Sequence, residues 1–203
     1  MNFIYKKYIK RILDIIGSIC GIVIFLIPVL VLSILIMIED PGSPYFKQER
    51  TGMKKNGKMT HFNMYKLRSM KLTAPHEVPT NMLENPDLHI LKIGKFIRKY
   101  SIDEIPQLHN VLKGDMSIIG PRPHICSQED IIIEREKYGA NDVKPGLTGW
   151  AQINGRDKLS IKEKAKLDGE YANNVSFLFD CRCFFGSFLK VFRADDVVEG
   201  KIG

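Results

Sequence analysis

The longest apolar run in the chain covers residues 15–38, which include no charged side chain. As a helix rising about 1.5 Å per residue, this run would be roughly 36 Å long, enough to cross the hydrocarbon core of a bilayer. It is too long for the apolar part of a secretory signal peptide, and Glu39 and Asp40 follow it without a small-residue cleavage site. The pattern therefore predicts a helix that resides in the membrane.

Two features bear on how this helix enters the membrane. Pro28 lies near its middle, where the missing N–H and the crowded carbonyl of Ile24 favour a kink. Basic residues that flank a membrane segment favour the cytoplasmic side. A hairpin that returns to the same leaflet keeps both basic flanks on that side, whereas a straight span leaves one flank on the other side. The residues alone leave both arrangements open. The basic flanks are Lys6, Lys7, Lys10 and Arg11 before the run, and Lys47, Arg50, Lys54, Lys55 and Lys58 after it.

Both ends of the chain carry amphipathic patterns that favour membrane-surface helices. Before the long run, apolar residues recur near helical spacing with basic residues between them, at Ile4, Tyr5, Tyr8, Ile9, Ile12 and Leu13. Near the other end, a second apolar group is rich in phenylalanine: Phe177, Leu178, Phe184, Phe185, Phe188, Leu189 and Phe192. For this second group, a helix in the protein core is the alternative.

From Asp40 onward the pattern becomes that of a mixed globular domain. Residues 44–50 and 59–68 predict strands, and Asn56-Gly57 between them is a strong hairpin turn signal. Lys66 and Arg68 are two positions apart, so both would project from one face of the second strand. A polar, proline-rich loop is expected at 73–86 and a helix at about 90–99. The predicted fold class is α+β, with a membrane segment at 1–39 and a cytoplasmic domain at 40–203.

Composition adds an electrostatic expectation. The formal net charge is +7 and the pI is about 9.2, which suits an anionic partner such as a membrane surface, a nucleotide phosphate or a nucleic acid. Cys181 and Cys183 are the only close cysteine pair, and their Cys-x-Cys spacing does not match usual zinc sites. The lysine-rich chain does not resemble a disulfide framework, so reduced thiols facing a cytoplasm are expected.

Asp103 and Glu104 form an acidic pair in the stretch that begins at Ser101. Ser101 and Glu104 fit a Ser-x-x-Glu capping box, and acidic residues in the first turn of a helix suit its dipole. The other interpretation is catalytic. A carboxylate pair beside several cations could hold a divalent metal and attack phosphorus.

Arg122 is a second candidate, because it lies between two prolines in Gly-Pro-Arg-Pro. The fixed backbone would lower the entropy lost when the guanidinium grips an oxyanion, and a rigid surface turn is the alternative. Arg156 ends a later glycine-containing turn. None of these motifs matches a Walker loop, a dinucleotide fingerprint or a hydrolase elbow.

Four ordered segments resemble the bacterial sugar transferase family, the small monotopic phosphoglycosyl transferases. They are YKLRSM, RKYSIDEIPQL, NVLKGDMSIIGPRP and KPGLTGWAQINGR. With the apolar segment and Pro28, the resemblance covers nearly the whole chain. It implies a re-entrant membrane helix broken at Pro28, a small cytoplasmic α/β catalytic domain with a β-hairpin, and amphipathic interfacial helices. It also implies residence on the cytoplasmic face of the bacterial inner membrane.

The resemblance further implies the chemistry. Asp103 would attack the β-phosphorus of a UDP-sugar, UMP would leave, and undecaprenyl phosphate would take the phosphosugar from the aspartate to begin glycoconjugate synthesis. Mg²⁺ would lie at Asp103 and Glu104, and Glu104 would be its ligand or an acid–base partner. Asp168 and Tyr171 fall in a region similar to the family's and receive no role. Cations expected to offset the phosphate charge are Lys66, Arg68, Arg98, Arg122 and Arg156.

Two functions without catalysis compete with this prediction. A membrane-anchored module that binds phosphorylated lipid or polyanion would use the same cations without needing Asp103. A membrane-tethered nucleic-acid binder is disfavoured, because the sequence has no recognition-helix pattern, zinc-finger spacing or aromatic-interleaved basic groove. The expected partners are a UDP-sugar, undecaprenyl phosphate and membrane lipid rather than nucleic acid, and the interfacial helices offer surfaces for a homodimer.

Overall fold

A long apolar helix leads into a domain of short strands and helices. A computed structural model describes residues 2–75, 85–155 and 158–193. Short helical turns lie at Asn2–Ile4, Tyr5–Ile9, Pro86–Leu88, Ile102–Glu104 and Ala140–Asp142. The mixed helix and sheet content that the sequence predicted is confirmed. The main elements are α1 (Lys10–Glu39), β1 (Tyr45–Lys55), β2 (Lys58–Leu67), α2 (Lys92–Lys99), α3 (Gln107–Lys113), β3 (Ser117–Ile119), α4 (Glu129–Glu136), β4 (Gly146–Thr148), α5 (Trp150–Ile153), α6 (Ile161–Asn173) and α7 (Phe177–Arg193).

Helix α1 runs continuously through Pro28. With the turn before it, the helical segment Tyr5–Glu39 is long and apolar enough to cross a membrane. Residues 23–28 are all exposed. Because this stretch exceeds one helical turn, the middle of α1 is exposed around its whole circumference. The break at Pro28 and the return to the same leaflet stay predictions.

The first half of α1 is docked on the domain by polar and close backbone contacts. Arg11 donates to two carbonyl oxygens near the end of α3, at 2.6 and 2.7 Å. Asp14 accepts hydrogen bonds from a hydroxyl and an amide of β3, at 3.0 and 2.9 Å. Gly17 and Gly21 approach apolar side chains of the domain so closely that a Cβ would lie 2.6 or 2.7 Å from a side-chain carbon. Small residues here allow the helix to lie against the domain.

The second half of α1 docks on the same domain through hydrogen bonds of its last residue, Glu39, and through apolar packing. The Glu39 carboxylate accepts hydrogen bonds from the first two N–H groups of α2, at 2.6 and 3.1 Å, where a helix start has unsatisfied donors. Both halves of α1 are therefore fixed to one domain, on either side of the exposed middle. The buried apolar cluster on this side consists of Leu32, Ile36, Leu67, Leu91 and Ile97.

Strands β1 and β2 form the predicted antiparallel hairpin. The register pairs Lys55 with Lys58, and the two residues between them, Asn56 and Gly57, have φ of 51° and 77°. Positive φ at both central positions is the mark of a type I′ turn, which Asn-Gly favours. The turn prediction is confirmed, and β1 continues past its predicted end at position 50.

The short parallel strands β3 and β4 bring two predicted motifs together. The Gly120 N–H donates to the Thr148 carbonyl and the Gly146 N–H donates to the Pro121 carbonyl, both at 2.8 Å. A Cβ on Gly146 or Gly149 would lie 2.1 Å from a backbone atom of Gly120. Side chains at these positions would force the two backbones apart. The glycines therefore hold the Gly-Pro-Arg-Pro turn against the Pro-Gly-Leu-Thr-Gly segment.

Helix α7 carries the phenylalanine-rich group and exposes most of it. Burial in the protein core, the alternative for this group, is wrong for the exposed members, and contact with a membrane surface stays a prediction. The start of the chain is similarly exposed at Phe3, Ile4, Tyr8, Ile9 and Ile12. The exposed side chains of α7 are Phe177, Leu178, Phe184, Phe185, Phe188 and Leu189.

Asp180 ties α7 to the start of the chain. It accepts hydrogen bonds from the Tyr5 hydroxyl at 2.6 Å and the Tyr171 hydroxyl at 2.7 Å, and pairs with Lys10 at 2.6 Å. The Tyr5 ring also packs edge-to-face on Phe177. The two exposed apolar groups are therefore held next to each other by a buried polar network.

Candidate active site

The acidic pair and two predicted cations meet at the end of β2. Lys66 donates to Asp103 Oδ2 at 3.3 Å and to Glu104 Oε1 at 2.9 Å. Arg122 donates to the same Glu104 oxygen at 2.7 Å. Both carboxylates are buried, and each buried charge is offset by a cation within ion-pair distance.

The acidic pair lies on a short 3-10 turn, Ile102–Glu104, and not in the first turn of a capped helix. Ser101 has a φ of 54°, and its side chain makes no capping hydrogen bond. The Glu104 N–H instead donates to the Ser101 carbonyl at 3.2 Å. The capping-box interpretation is therefore wrong at this position, and the Glu104 carboxylate is directed to Lys66 and Arg122.

Arg122 is positioned by the glycine contacts between β3 and β4. Its flanking residues Pro121 and Pro123 are both buried, and the Pro121 carbonyl is held by the Gly146 N–H. The rigid turn that the two prolines predicted is thus anchored on both sides. Its guanidinium reaches Glu104 across a sequence separation of 18 residues.

An open pocket of about 120 Å³ lies beside the acidic pair. Among the described residues that line the pocket, Asp103 is the only acidic one. Glu104 and Arg122 do not line it. A cationic wall of this kind attracts phosphate groups and offsets their charge. The basic side chains that line the pocket are Arg50, Lys66, Arg68, Lys71 and Arg98.

Arg68 has a structural contact that the sequence did not indicate. Its guanidinium pairs with Asp40 Oδ2 at 2.6 Å and also donates to the Asp40 carbonyl. Its Nε is buried and has no hydrogen-bond partner among the described residues. Arg68 therefore links the end of α1 to the pocket wall, and phosphate binding by this residue stays a prediction.

Arg50 lines the pocket and was missed as a site residue. It donates to Gln48 Oε1 at 2.5 Å and to the Pro123 carbonyl at 3.4 Å. Burial, followed by the neighbouring charge of Arg122, lowers the pKa of the Arg50 guanidinium to about 10. The turn signal did not indicate this, because a β-bulge between Thr51 and Lys54 shifts the register and so places Arg50 on the same face of the hairpin as Lys66.

The remaining predicted site residues divide between the pocket and the core. Arg98, in the last turn of α2, lines the pocket, and phosphate binding by this residue stays a prediction. Arg156 lies outside the described residues. Asp168 is buried and accepts two hydrogen bonds from Arg135, at 2.9 and 2.5 Å, which gives it a structural role.

Tyr171 also has a structural role. Its hydroxyl donates to Asp180 at 2.7 Å and lies 3.1 Å from the Ile119 carbonyl. Burial and the Asp180 charge raise the pKa of Tyr171 above its ordinary value, so the phenol stays protonated. The region that resembled the family without an assigned role thus contributes packing and buried hydrogen bonds.

The donor set at the acidic pair suits a magnesium ion. Asp103 and Glu104 offer carboxylate oxygens from adjacent positions, and Lys66 contacts both within 3.3 Å. Mg²⁺ takes oxygen ligands and is commonly bound by one or two carboxylates together with substrate phosphates. The donor types at the pair therefore fit Mg²⁺, and binding of the ion there stays a prediction.

Comparison with known proteins identifies the family. A sequence profile described as Bacterial sugar transferase matches residues 5–194. The sugar transferase EpsL of Bacillus subtilis is 39% identical and covers 94% of this chain and 91% of its own. The UDP-glucose:undecaprenyl-phosphate glucose-1-phosphate transferase of Escherichia coli is 38% identical over 92% of this chain. The UDP-N-acetylgalactosamine-undecaprenyl-phosphate N-acetylgalactosaminephosphotransferase of Aeromonas hydrophila is 36% identical over 88%.

The chain therefore belongs to the bacterial sugar transferase family, and the predicted family is confirmed. It spans nearly all of EpsL but only 41% and 42% of the lengths of the Escherichia coli and Aeromonas relatives. All four motifs that carried the resemblance lie inside the matched region, as does the apolar helix α1.

Proposed function

We propose that this chain is a phosphoglycosyl transferase that moves a sugar phosphate from a UDP-sugar to undecaprenyl phosphate and releases UMP. The names of the Escherichia coli and Aeromonas relatives support this reaction, since both specify undecaprenyl phosphate and a UDP-sugar. Those two names specify different sugars, although the two relatives have similar sequence identity to this chain. The proposal therefore covers UDP-sugars as a class. The lipid product would begin synthesis of a glycoconjugate.

The observation that carries the proposal is the position of Asp103 in the pocket. Among the described lining residues it is the acidic one, and five basic side chains share the lining. A carboxylate that attacks a diphosphate is repelled by the negative charge of its target. Cations on the same wall offset that repulsion and stabilise the charge that develops in the transition state.

Asp103 acts as the nucleophile in the proposed reaction. One of its carboxylate oxygens bonds to the β-phosphorus, the bond from that phosphorus to the bridging oxygen breaks, and UMP leaves with the bonding pair. A phosphate oxygen of undecaprenyl phosphate then bonds to the same phosphorus and releases the Asp103 carboxylate. Division into two displacements avoids the need to align two bulky substrates at once.

Glu104 and the cations organise this chemistry without forming a bond to phosphorus. Lys66 contacts both acids, which holds the Asp103 carboxylate towards the pocket, and Arg122 fixes Glu104 from the other side. Mg²⁺ bound at Asp103 and Glu104 would supply additional positive charge to the diphosphate. Glu104 is therefore proposed as a metal ligand or an acid–base partner.

The membrane arrangement is part of the same proposal. We place the domain on the cytoplasmic face of the inner membrane, with α1 entering and leaving by one leaflet. Support comes from the docking of both halves of α1 on one domain and from the exposed middle at 23–28. This arrangement would keep the pocket near the headgroup of a lipid substrate and open to a water-soluble nucleotide sugar.

The function is tested by UMP release. Tag-free full-length protein in lipid nanodiscs is incubated with undecaprenyl phosphate, Mg²⁺ and each member of a UDP-sugar panel. The proposal predicts UMP and a polyprenol diphosphosugar with at least one donor, both lost on removal of Mg²⁺. Binding of undecaprenyl phosphate without UMP release from any donor would instead indicate a non-catalytic lipid-binding module.

The topology is tested by thiol labelling of Lys7→Cys and Lys58→Cys. Both positions are exposed, and in the sequence one precedes α1 and the other follows it. A membrane-impermeant reagent should label both in inverted membrane vesicles and neither in intact cells, after subtraction of labelling in the parent chain. Labelling of one position from each side would establish a straight span and contradict the re-entrant arrangement.

A further inference from the structure

Three metal-binding side chains meet on the face of the hairpin opposite the pocket. Glu49 on β1, His61 on β2 and Cys126 after the Gly-Pro-Arg-Pro turn each offer one ligand atom, and these atoms lie within 4.8 Å of one another. Side chains alternate along a strand, so Glu49 and His61 face away from Arg50 and Lys66, which line the pocket. The cluster is therefore separate from the proposed magnesium site.

The backbone fixes the three residues next to each other. Arg50 and Ile125 form an antiparallel bridge, which places Glu49 opposite Cys126. The Thr51 N–H donates to the His124 carbonyl at 3.0 Å and holds the same segment against β1. The site thus rests on a strand and its neighbours rather than on a single exposed loop.

The distances suit a tetrahedral ion. His61 Nδ1 lies 3.1 Å from Cys126 Sγ, and Cys126 Sγ lies 3.9 Å from Glu49 Oε2. In a tetrahedral zinc site with bonds of about 2.0–2.3 Å, neighbouring ligand atoms are roughly 3.5 Å apart. Because the three ligand atoms lie within 4.8 Å of one another, side-chain movements of about 1 Å in the exposed Glu49 and His61 would bring all three to bonding distance.

We propose that Glu49, His61 and Cys126 bind a borderline-soft divalent metal, with Zn²⁺ as the best fit. A thiolate and an imidazole select transition metals over Mg²⁺, which takes oxygen ligands and octahedral geometry. The three protein ligands leave a fourth position for water. The bound ion would join β1 and β2 to the segment that follows Arg122, and so stabilise the turn that holds this arginine.

The proposal is tested with Co²⁺ as a spectroscopic probe on tag-free full-length protein in detergent, with Mg²⁺ in large excess. One equivalent of Co²⁺ should give the near-ultraviolet thiolate charge-transfer absorption and the visible bands of a tetrahedral site, and Zn²⁺ should displace it. Cys126→Ser should remove the charge-transfer absorption, and His61→Gln and Glu49→Gln should each weaken binding at least about tenfold. Cys20→Ser, which changes another exposed thiol, is the matched control and should bind normally.

A second measurement does not depend on the probe. Zn²⁺ should raise the thermal unfolding midpoint of the parent chain and of Cys20→Ser, because a ligand that binds only the folded state stabilises it. It should leave the midpoint of Cys126→Ser unchanged. Equal Co²⁺ spectra in the parent and Cys126→Ser, or displacement of Co²⁺ by Mg²⁺, would overturn the proposal.

Discussion

Asp103 and Asp180 are both carboxylates paired with a lysine, and both have an exposed fraction of 8%. Asp180 accepts hydrogen bonds from two tyrosines and pairs with Lys10, all within 2.7 Å. Asp103 meets Lys66 at the longer distance of 3.3 Å and lines an open pocket with cationic walls. Burial alone does not distinguish the two acids, whereas their neighbours do.

The comparison separates a carboxylate that stabilises the fold from one suited to chemistry. The partners of Asp180 come from the start of the chain and from α6, so its charge joins distant segments. Asp103 instead faces a space in which a phosphate could be bound. Substitutions should therefore separate stability from turnover, and the expected effects are largest at these two positions.

The largest expected effect is the loss of turnover in Asp103→Asn. An amide is a poor nucleophile, so UMP release should fall by at least about 1,000-fold, which corresponds to roughly 4 kcal/mol in the barrier. The thermal unfolding midpoint should stay close to that of the parent chain, because Lys66 keeps its ion pair with Glu104 at 2.9 Å. Turnover within tenfold of the parent would show that Asp103 is not the nucleophile.

Asp180→Asn should have the opposite profile. Asp180→Asn removes the ion-pair partner of Lys10 from a buried network, and stability should fall by about 3 kcal/mol. Thermal or denaturant unfolding in detergent measures the loss, and turnover per folded molecule should be nearly normal. A fully stable variant would mean that the two tyrosine hydrogen bonds alone hold this network.

Glu104→Gln should reduce turnover by roughly 100-fold if the carboxylate binds metal or moves a proton. The shape of the side chain is kept, and no helix cap is lost because Ser101 does not cap here. Steady-state UMP release over a range of Mg²⁺ concentrations measures the effect. A change of less than about threefold would assign Glu104 to structure alone.

Arg122→Lys should cost at least about tenfold in kcat/KM, or about 1.4 kcal/mol, because lysine keeps the charge but loses the planar donor group. Arg135→Lys is the matched control, since Arg135 holds the buried Asp168 with two hydrogen bonds. The control should lower the unfolding midpoint and leave kcat/KM of the folded protein nearly unchanged. Equal kinetic losses in both variants would indicate that Arg122 acts only through stability.

Features with a local sequence signature were predictable. Asn56-Gly57 specified the hairpin turn because few residues accept positive φ at both positions. The apolar run specified α1 by length and composition.

The Ser-x-x-Glu pattern occurs twice, at 101–104 and at 160–163, and only Ser160 forms the capping box, with φ of −62°. Ser101 adopts a positive φ, and the pattern does not encode that difference.

Features that depend on distant contacts were not predictable. Adjacent residues on a helix diverge, yet Asp103 and Glu104 converge on Lys66, which comes from β2. The role of Asp40 as a partner of Arg68 requires knowledge of where α1 ends against the pocket. Arg50 could be assigned to the pocket only once the strand register was known.

The central claim, that Asp103 carries the phosphosugar, is tested most directly by trapping the intermediate. Full-length protein is incubated with a UDP-sugar that supports UMP release and with Mg²⁺, in the absence of undecaprenyl phosphate, and is quenched rapidly. Intact-mass analysis should show one added phosphosugar, peptide mapping should place it on Asp103, and Asp180→Asn should load in the same way. UMP release without any adduct, or an adduct on another residue, would contradict the account.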